Sequence, residues 1–253
     1  ASVAWVPSCA GLMLGGYVVQ ELCKKYKTGR GIENVSFDVD EGEIFGFLGP
    51  NGAGKTTALK ILTGLIRADS GSACIFGHDI ADDYEKAMAN VGAIIEAVAP
   101  FPYLTAYENM CVASRYYDGV TDARIDECLE STGILKFKNE KAKGFSLGMK
   151  QRLGISMALI SNPRVMILDE PLNGLDVEGM VEMRTLIQRL SKENKTSFLI
   201  SSHLIHDVEL TCTKIGILYN GKMLGVDYTD NILMNYSSLE NYYLSEVDLN
   251  AQP

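Results

Sequence analysis

Residues 49–57 decide the fold of this chain and read Gly49-Pro50-Asn51-Gly52-Ala53-Gly54-Lys55-Thr56-Thr57, a match to the pattern G-x-x-x-x-G-K-[ST]. An apolar run precedes them at residues 44–48, and helical apolar spacing follows at 58–65, so the glycines join a strand to a helix. Glycines let backbone N–H groups face a phosphate, and the helix N-terminus adds partial positive charge. We expect a phosphate-binding loop in which Lys55 neutralises phosphate oxygens and the Thr56 hydroxyl binds Mg²⁺.

Short β-rich runs alternate with helical segments on both sides of this loop. Strands are predicted at residues 17–20, 35–39, 93–95, 165–168, 197–200 and 215–219. This alternation favours an α/β sheet with helices on its faces. The stretch 104–160 differs, because it carries helical spacing at 106–117, 122–132 and 150–160 and no convincing strand, which indicates an inserted helical subdomain.

Two of the predicted strands end in polar side chains at the sheet edge where open α/β folds bind ligands. Residues 165–168 lead into Asp169 and Glu170, which we expect to hold the metal and to orient or deprotonate a water molecule, respectively. Residues 197–202 lead into His203, which can hydrogen-bond a terminal phosphate. Taken alone, either strand end is also typical of an ordinary solvated strand end.

The composition of the chain disfavours some classes of binding partner and some cellular compartments. The chain has 23 basic and 32 acidic residues, a net charge of −9, which disfavours nucleic acid. No internal run reaches the roughly 20 apolar residues of a membrane helix, so we expect any membrane work to come through a partner. The six cysteines form no C-x-x-C pair, which favours thiols in a reduced compartment. Residues 1–16 lack the basic start of a signal peptide. We interpret them as an N-terminal extension, which can be either native or non-native sequence.

The loop at 49–57, the Asp-Glu strand end, the His-ended strand and the segment Phe145-Ser146-Leu147-Gly148-Met149 together resemble the ABC ATPase family, in the family's order. The resemblance implies a P-loop NTPase (RecA-like) core at residues 17–96 and 161–220 with an antiparallel β subdomain. It further implies a helical signature subdomain at 97–160, which leaves 221–253 as a peripheral C-terminal tail with a short helical pattern at 238–244.

The resemblance also assigns roles to residues. It implies that Glu170, His203 and Lys55 are the catalytic residues. It also implies that Thr56, Glu96 and Asp169 bind Mg²⁺. Tyr26 stacks on adenine, and residues 49–57 bind the phosphates of ATP. Ser146 and Gly148 reach the γ-phosphate held by an opposite protomer, with Asp176 in the D-loop beside them. The Ser146 side chain is expected to cap the helix that follows it, although a plain helix cap is the simpler interpretation of that segment alone.

Two positions depart from the family pattern. The signature resembles LSGGQ but carries Leu147 and Met149, while the serine and second glycine that meet phosphate are kept. At the Q-loop position the chain has Glu96 where most members have Gln. A carboxylate is also an oxygen ligand for Mg²⁺ but adds a full negative charge. The surrounding Ile94-Ile95-Glu96-Ala97 resembles the branch that exports bacitracin and lantibiotic peptides; an exposed glutamate without a special role is the alternative.

These expectations combine into one hypothesis with two alternatives. The resemblance implies an ATP-hydrolysing subunit that works as a homodimer and powers export of an antimicrobial peptide or drug through a separate membrane-spanning permease, as in antibiotic resistance. Such a subunit is cytoplasmic and bound to the inner face of the membrane through the permease. One alternative is a soluble ABC ATPase, although the chain holds one compact cassette without a long coiled-coil insertion. The other is an ATP-responsive binding module with little hydrolysis.

Overall fold

The computed structural model describes residues 15–251, which form two β-sheets flanked by helices. The strands are β1 (Gly15–Lys25), β2 (Gly31–Asp40), β3 (Ile44–Leu48), β4 (Ser70–Ile75), β5 (His78–Asp79), β6 (Val91–Ile94), β7 (Val165–Asp169), β8 (Ser197–Ser202), β9 (Lys214–Tyr219) and β10 (Lys222–Tyr228). The helices are α1 (Lys55–Leu62), α2 (Tyr84–Met88), α3 (Ala106–Ser114), α4 (Asp122–Ser131), α5 (Leu147–Ala158), α6 (Val177–Asn194), α7 (Ile205–Thr211), α8 (Thr229–Asn235) and α9 (Leu239–Ala251).

The larger sheet has the strand order β10-β9-β3-β8-β7-β6. Five neighbouring strands, β9, β3, β8, β7 and β6, are parallel, so the carboxyl ends of β3, β7 and β8 meet at one edge. Parallel sheets are covered on both faces, and β3, β7 and β8 are accordingly buried along their whole length. The predicted α/β class with a P-loop NTPase core is confirmed.

The smaller sheet is antiparallel, has the order β2-β1-β4-β5, and packs against one face of β3. Successive side chains of a strand point to opposite faces, which divides β3 between two cores. Phe45 and Phe47 meet Phe37 of β2 with ring centroids 4.9 and 4.8 Å apart, whereas Ile44 and Leu48 pack with the helices on the other side. The expected antiparallel β subdomain is therefore present, and it packs against β3, the strand that leads into residues 49–57.

The stretch 97–160, all of which the structure describes, contains α3, α4 and α5 and contributes no strand to either sheet. Thr105 and Glu108 form a reciprocal capping box at the start of α3, and the side chains of Thr121 and Ser146 cap α4 and α5. Helix α5 begins at Leu147, three residues before the predicted start, because the cap at Ser146 fixes it. An inserted helical unit was expected here and is found.

Helix α1 ends earlier than predicted. It stops at Leu62 rather than extending to residue 65, and Leu65 is exposed. Gly64 has a φ of 70° directly after the last turn, a left-handed conformation that commonly terminates helices. Two further strands, β4 and β5, were not predicted from the sequence; β4 is buried only in its second half.

The expectation of a peripheral tail after residue 220 is wrong. Strand β10 pairs with β9 and extends the larger sheet, while Ile232, Leu239 and Tyr242 of the two last helices are buried in the main core. The segment looked peripheral because β10 lies at the edge of the sheet and is only half-buried, so its sequence lacks a continuous apolar run. The first predicted unit, residues 1–16, lies almost wholly outside the described residues.

The expectation of free thiols holds for Cys23, Cys111, Cys128 and Cys212, whereas Cys74 is disulfide-bonded. Burial raises the pKa of the Cys128 thiol to about 11, so it stays protonated at neutral pH. None of the helices within residues 15–251 combines the length and the apolar character that crossing a membrane requires.

The burial of the last helix leads to a stability prediction. Leu239→Ala should lower the free energy of unfolding by about 2–5 kcal/mol, because it removes a side chain that is fully buried in the main core. Leu249→Ala, on the same helix but 70% exposed, should change it by no more than about 0.5 kcal/mol. Urea unfolding of both variants measures the difference. Equal, small changes would mean that α9 does not belong to the core.

Candidate functional site

The glycines of residues 49–57 are required by the path of the backbone between β3 and α1. Gly54 has a φ of 108°, and a Cβ atom there would lie 2.5 Å from Cγ2 of Ile32. A Cβ at Gly49 would lie 2.1 Å from the carbonyl oxygen of Leu218 on β9. Larger residues cannot enter either position without moving a neighbouring strand. The loop is thus a tight turn that presents backbone N–H groups at the start of α1.

Lys55 is the first residue of α1, and its side chain folds back over the loop. Its Nζ donates to the carbonyl oxygen of Gly49 at 2.7 Å and lies 3.2 Å from Oε1 of Glu170. The lysine is buried, so its charge would be costly without a partner, and the Glu170 carboxylate and the carbonyl oxygen of Gly49 supply that compensation. The structure therefore joins the phosphate-binding loop to the acidic strand end through one buried cation.

Asp169 ends β7 and is fixed by two hydroxyl groups. Thr56 Oγ1 donates to Oδ2 at 2.9 Å, and Ser201 Oγ donates to Oδ1 at 2.5 Å. Ser201 reaches Asp169 because the two residues are direct neighbours in the parallel pairing of β7 with β8. Thr56 and Asp169, two of the three predicted metal ligands, thus lie side by side. Hydroxyl and carboxylate oxygens are ligands that suit a hard cation such as Mg²⁺.

Glu170 follows directly and has a left-handed backbone with a φ of 50°. Its N–H donates to Ser201 Oγ at 2.9 Å, and its Oε2 lies 2.9 Å from Nδ1 of His203. A non-glycine residue with positive φ stores strain, and such residues cluster at functional sites. The three predicted catalytic side chains, Glu170, His203 and Lys55, therefore meet, with Glu170 between the other two.

A cavity of about 300 Å³ opens above the loop and is lined by Tyr26, Thr28, Arg30, Gly31, residues 50–57 and Glu170. Tyr26 comes from the turn after β1, is 38% exposed and borders this cavity. An aromatic face beside a phosphate-binding loop is suited to stack on a planar base. The predicted adenine-binding residue and the predicted phosphate-binding residues border one cavity.

The signature residues lie elsewhere. Ser146 caps α5, where its Oγ accepts from the N–H of Met149 at 3.3 Å, and none of residues 145–149, all within the described range, lines that cavity. Leu147 and Gly148 instead lie close to the loop at Gly174 and Leu175, since a Cβ atom at Gly174 would be 3.0 Å from Leu147 and one at Gly148 would be 3.5 Å from Leu175. Asp176 follows this loop as the cap of α6, with its Oδ1 accepting from the N–H of Gly179 at 2.9 Å. Within one copy of the chain, Ser146, Gly148 and Asp176 are separate from the phosphate-binding loop.

Glu96 follows β6 with a φ of 67°, and its side chain hydrogen-bonds Lys60, whereas Thr56 and Asp169 hydrogen-bond each other. Its Oε1 lies 2.5 Å from Nζ of Lys60 on α1, and this hydrogen bond raises the pKa of the lysine. It also borders a second cavity of about 350 Å³, together with Asp169, Glu170 and Lys150. The third predicted metal ligand is therefore close to the other two without joining them.

Sequence reasoning missed two residues of this site. Ser201 fixes both acids of the β7 end, and Lys60 binds Glu96. Ser201 could have been found, because pairing the predicted strands 165–168 and 197–200 in parallel places it beside Asp169. Lys60 lies 36 residues from Glu96 in the sequence, and no local pattern connects them.

Comparison with known proteins agrees with this geometry. Residues 32–173 match the family described as ABC transporter. The chain is 43% identical over 195 residues to an uncharacterized ABC transporter ATP-binding protein, YhcH, of Bacillus subtilis, covering 77% of this chain and 64% of the relative. It is 42% identical to the bacitracin transport ATP-binding protein BcrA of Bacillus licheniformis (81% and 67% covered), and 39% identical to the lantibiotic transport ATP-binding protein SrtF of Streptococcus pyogenes (81% and 88% covered). The chain thus spans about two thirds of the length of YhcH and BcrA.

Solved structures give the same result. The chain superimposes on the ATP-binding subunit of an ABC transporter with a TM-score of 0.78 and 28% identity, covering 91% of this chain and 99% of the other. The ATP-binding cassette MJ0796, in a dimeric structure bound to ADP and Pi, matches with a TM-score of 0.74 and 26% identity, covering 84% and 98%.

The turn at Gly54 provides a test of the phosphate-binding loop. Gly54→Ala should weaken ATP binding at least about tenfold, because the new Cβ would displace the loop from Ile32 in addition to straining the backbone. Gly77→Ala is the control: its φ is 82°, but nothing lies within 4 Å of the new Cβ, so the strain is similar and the loop is untouched. Titration with a fluorescent ATP analogue measures both. Equal loss in the two variants would show that general destabilisation, not the loop, is responsible.

Proposed function

This chain belongs to the ABC transporter family, and from that premise we propose that it binds and hydrolyses ATP, with Mg²⁺, to drive a membrane-spanning partner. One observation carries the proposal: the Glu170 carboxylate lies between Lys55 Nζ at 3.2 Å and His203 Nδ1 at 2.9 Å, directly after the Asp169–Thr56 pair. An acid held between two potential phosphate-binding groups is in position to act on a water molecule beside a terminal phosphate.

In the proposed reaction, a water oxygen attacks the γ-phosphorus, the bond between γ-phosphorus and the bridging oxygen breaks, and ADP and phosphate leave. Glu170 accepts the proton of the water or orients it, while Lys55 and the loop N–H groups stabilise the charge that develops on phosphate oxygens. His203 donates to the γ-phosphate. Thr56 and Asp169 hold Mg²⁺, which neutralises phosphate charge when bound. Each residue role is supported by the contacts described above.

We further propose that two copies of the chain act together. Ser146 and Gly148 form the N-terminal end of α5, which can bind an anion, yet they lie apart from the cavity that contains Lys55 and Thr56. A head-to-tail pair would bring the α5 end of one copy to the phosphates bound by the other. The dimeric arrangement of the related cassette MJ0796 supports this proposal.

Glu170→Gln should bind ATP normally but turn it over about 10²–10⁴-fold more slowly, because the amide keeps the shape of the side chain and cannot accept a proton. ATP should then accumulate between two copies, so light scattering should detect a change from monomer to dimer on addition of Mg-ATP. Normal turnover in this variant would refute the role of Glu170.

Glu193→Gln serves as the matched control, because Glu193 is an exposed glutamate at the far end of α6. It should leave both turnover and oligomeric state unchanged. Ser146→Arg in the Glu170→Gln background should prevent dimer formation by placing a bulky charged side chain at the end of α5. A dimer that forms despite this change would argue against the composite site.

The surface that faces the membrane partner is proposed to be the groove between β6 and the helical insertion. This groove has a volume of about 480 Å³ and is lined by residues 91–95 and 97–101 of β6 and its following loop, together with Val112, Ala113, Tyr116, Tyr117, Gly154, Met157 and Ala158. Phe101 and Tyr116 are 54% and 84% exposed, an unusual placement for aromatic residues of a monomer. An apolar helix of a partner could bury them.

Tyr116→Ala should weaken binding of the membrane partner about tenfold or more, because exposed aromatic residues beside a groove are frequent energetic centres of interfaces. Tyr103→Ala is the control, since Tyr103 is 75% exposed but does not line the groove. Co-purification with a co-expressed membrane-spanning partner measures both. Equal retention of the two variants would place the docking surface elsewhere.

The proposed cargo is an antimicrobial peptide or drug that is exported. The relatives BcrA and SrtF are named for bacitracin transport and lantibiotic transport, respectively, and support this choice. A soluble ABC ATPase is the alternative, and the exposed aromatic groove favours the transporter. A neighbouring gene that encodes about six apolar spans would distinguish the two.

A further inference from the structure

We propose that Lys60 is a positioning residue for Glu96: the lysine holds the glutamate on α1, one helical turn away from the Thr56–Asp169 pair, and this ion pair must open before Glu96 can join that pair. That Glu96 then helps to bind Mg²⁺ rests on the proposed function. The ion pair between Lys60 and Glu96 does not depend on that function.

The geometry of α1 carries the first step. Thr56 and Lys60 are four residues apart and therefore lie on the same face of the helix, separated by about 6 Å along its axis. Lys60 Nζ lies 2.5 Å from Glu96 Oε1, whereas Thr56 Oγ1 binds Asp169. Glu96 is consequently attached to the same helix as Thr56, but at the next turn.

The charges around Glu96 carry the second step. Glu96, Asp169 and Glu170 border one cavity, and three carboxylates in one cavity repel one another. Lys55 offsets Glu170, and hydroxyl groups of Thr56 and Ser201 bind Asp169. Lys150 also borders the cavity, but the ion pair of Glu96 is with Lys60. A neutral glutamine at this position would need no such cation. Lys60 therefore has a positioning role only because residue 96 is a charged glutamate.

The backbone carries the third step. Glu96 has a φ of 67° immediately after β6, a strained conformation for a residue with a side chain. The residues that follow it, Ala97 and Val98, line both the cavity beside Asp169 and the groove proposed for the membrane partner. Lys60 thus fixes the loop that lies between the nucleotide side and the partner side of the molecule.

The expected size of the effect follows from exposure. The side chains of Lys60 and Glu96 are 30% and 65% exposed, and exposed ion pairs change an equilibrium by a factor of about two to five. An ion pair of this strength is weak enough for ligand binding to open it. Its effect is large enough to measure if the two side chains are changed separately and together.

The test is a double-mutant cycle with two readouts. Lys60→Met should speed amide hydrogen exchange of residues 94–98 about two- to fivefold in the chain without nucleotide, because the loop loses its tether. In the Glu170→Gln background, it should also lower the Mg²⁺ concentration that gives half-maximal ATP-dependent dimer by a similar factor. Glu96→Gln should speed the same exchange, and adding Lys60→Met to it should have no further effect on exchange.

Three controls separate positioning from other effects. Lys60→Arg keeps the ion pair and should behave like the unaltered chain. Lys86→Met removes the lysine of another exposed ion pair, that with Asp83, and should change neither readout. A long-range effect of the lost charge on Mg²⁺ would persist when residue 96 is Gln, whereas the part carried by the ion pair would disappear.

Unchanged exchange in Lys60→Met, or an increase that is equally large in the Glu96→Gln background, would overturn the proposal. If Lys60→Met fails to fold, hydrogen exchange in Glu96→Gln still tests whether the ion pair restrains residues 94–98, because that variant leaves α1 unchanged. If the Glu170→Gln chain forms no dimer with any Mg²⁺ concentration, the proposed function is wrong, and the exchange cycle still decides whether Lys60 positions Glu96.

Discussion

Three carboxylates lie at one edge of a parallel sheet, and the rest of the site depends on how their repulsion is offset. Glu170 pairs with the buried Lys55, Asp169 accepts from the hydroxyls of Thr56 and Ser201, and Glu96 pairs with Lys60. Both lysines and the threonine come from α1, the helix that follows the phosphate-binding loop. One helix therefore supplies the end that is proposed to bind phosphate and most of the groups that keep the acids in place.

The fold holds this arrangement by burying β3, β7 and β8 on both faces. Phe45 and Phe47 lock β3 against the antiparallel sheet, so the loop that leaves its carboxyl end starts from a fixed position. Glu96 and Glu170 both have positive φ, and each follows a strand of this sheet. Strained residues persist only where the surrounding structure determines them, and a rigid parallel sheet provides those surroundings.

The sequence predicts those parts of the structure that are encoded in neighbouring residues. The loop at 49–57, the ends of β7 and β8, and the cap at Ser146 each follow from a short pattern, and the structure has them at those positions. Contacts between distant segments could not be predicted in the same way. Ser201 requires the register of β7 with β8, and the Lys60–Glu96 pair requires the packing of α1 beside β6. Strand β10 was missed, and α9 was predicted only as a short helical pattern at 238–244, because edge and surface elements bury only one side, which leaves a polar sequence.

The position of the signature helix is tied to the core through α6. Arg152 of α5 binds Glu182 of α6 at 2.6 Å, and Arg184, half a turn later, binds Asp207 of α7 at 2.5 Å. At the other end of α5, Leu147 lies close to Gly174, since a Cβ atom at Gly174 would be 3.0 Å from Leu147 Cδ2. Gly174 belongs to the loop before Asp176, the cap of α6. These two ion pairs connect α5 to α6 and α6 to α7. Helix α7 begins two residues after His203, whose Nδ1 lies 2.9 Å from Glu170, so a chain of side-chain contacts links the signature helix to the ends of β7 and β8 within one copy of the chain.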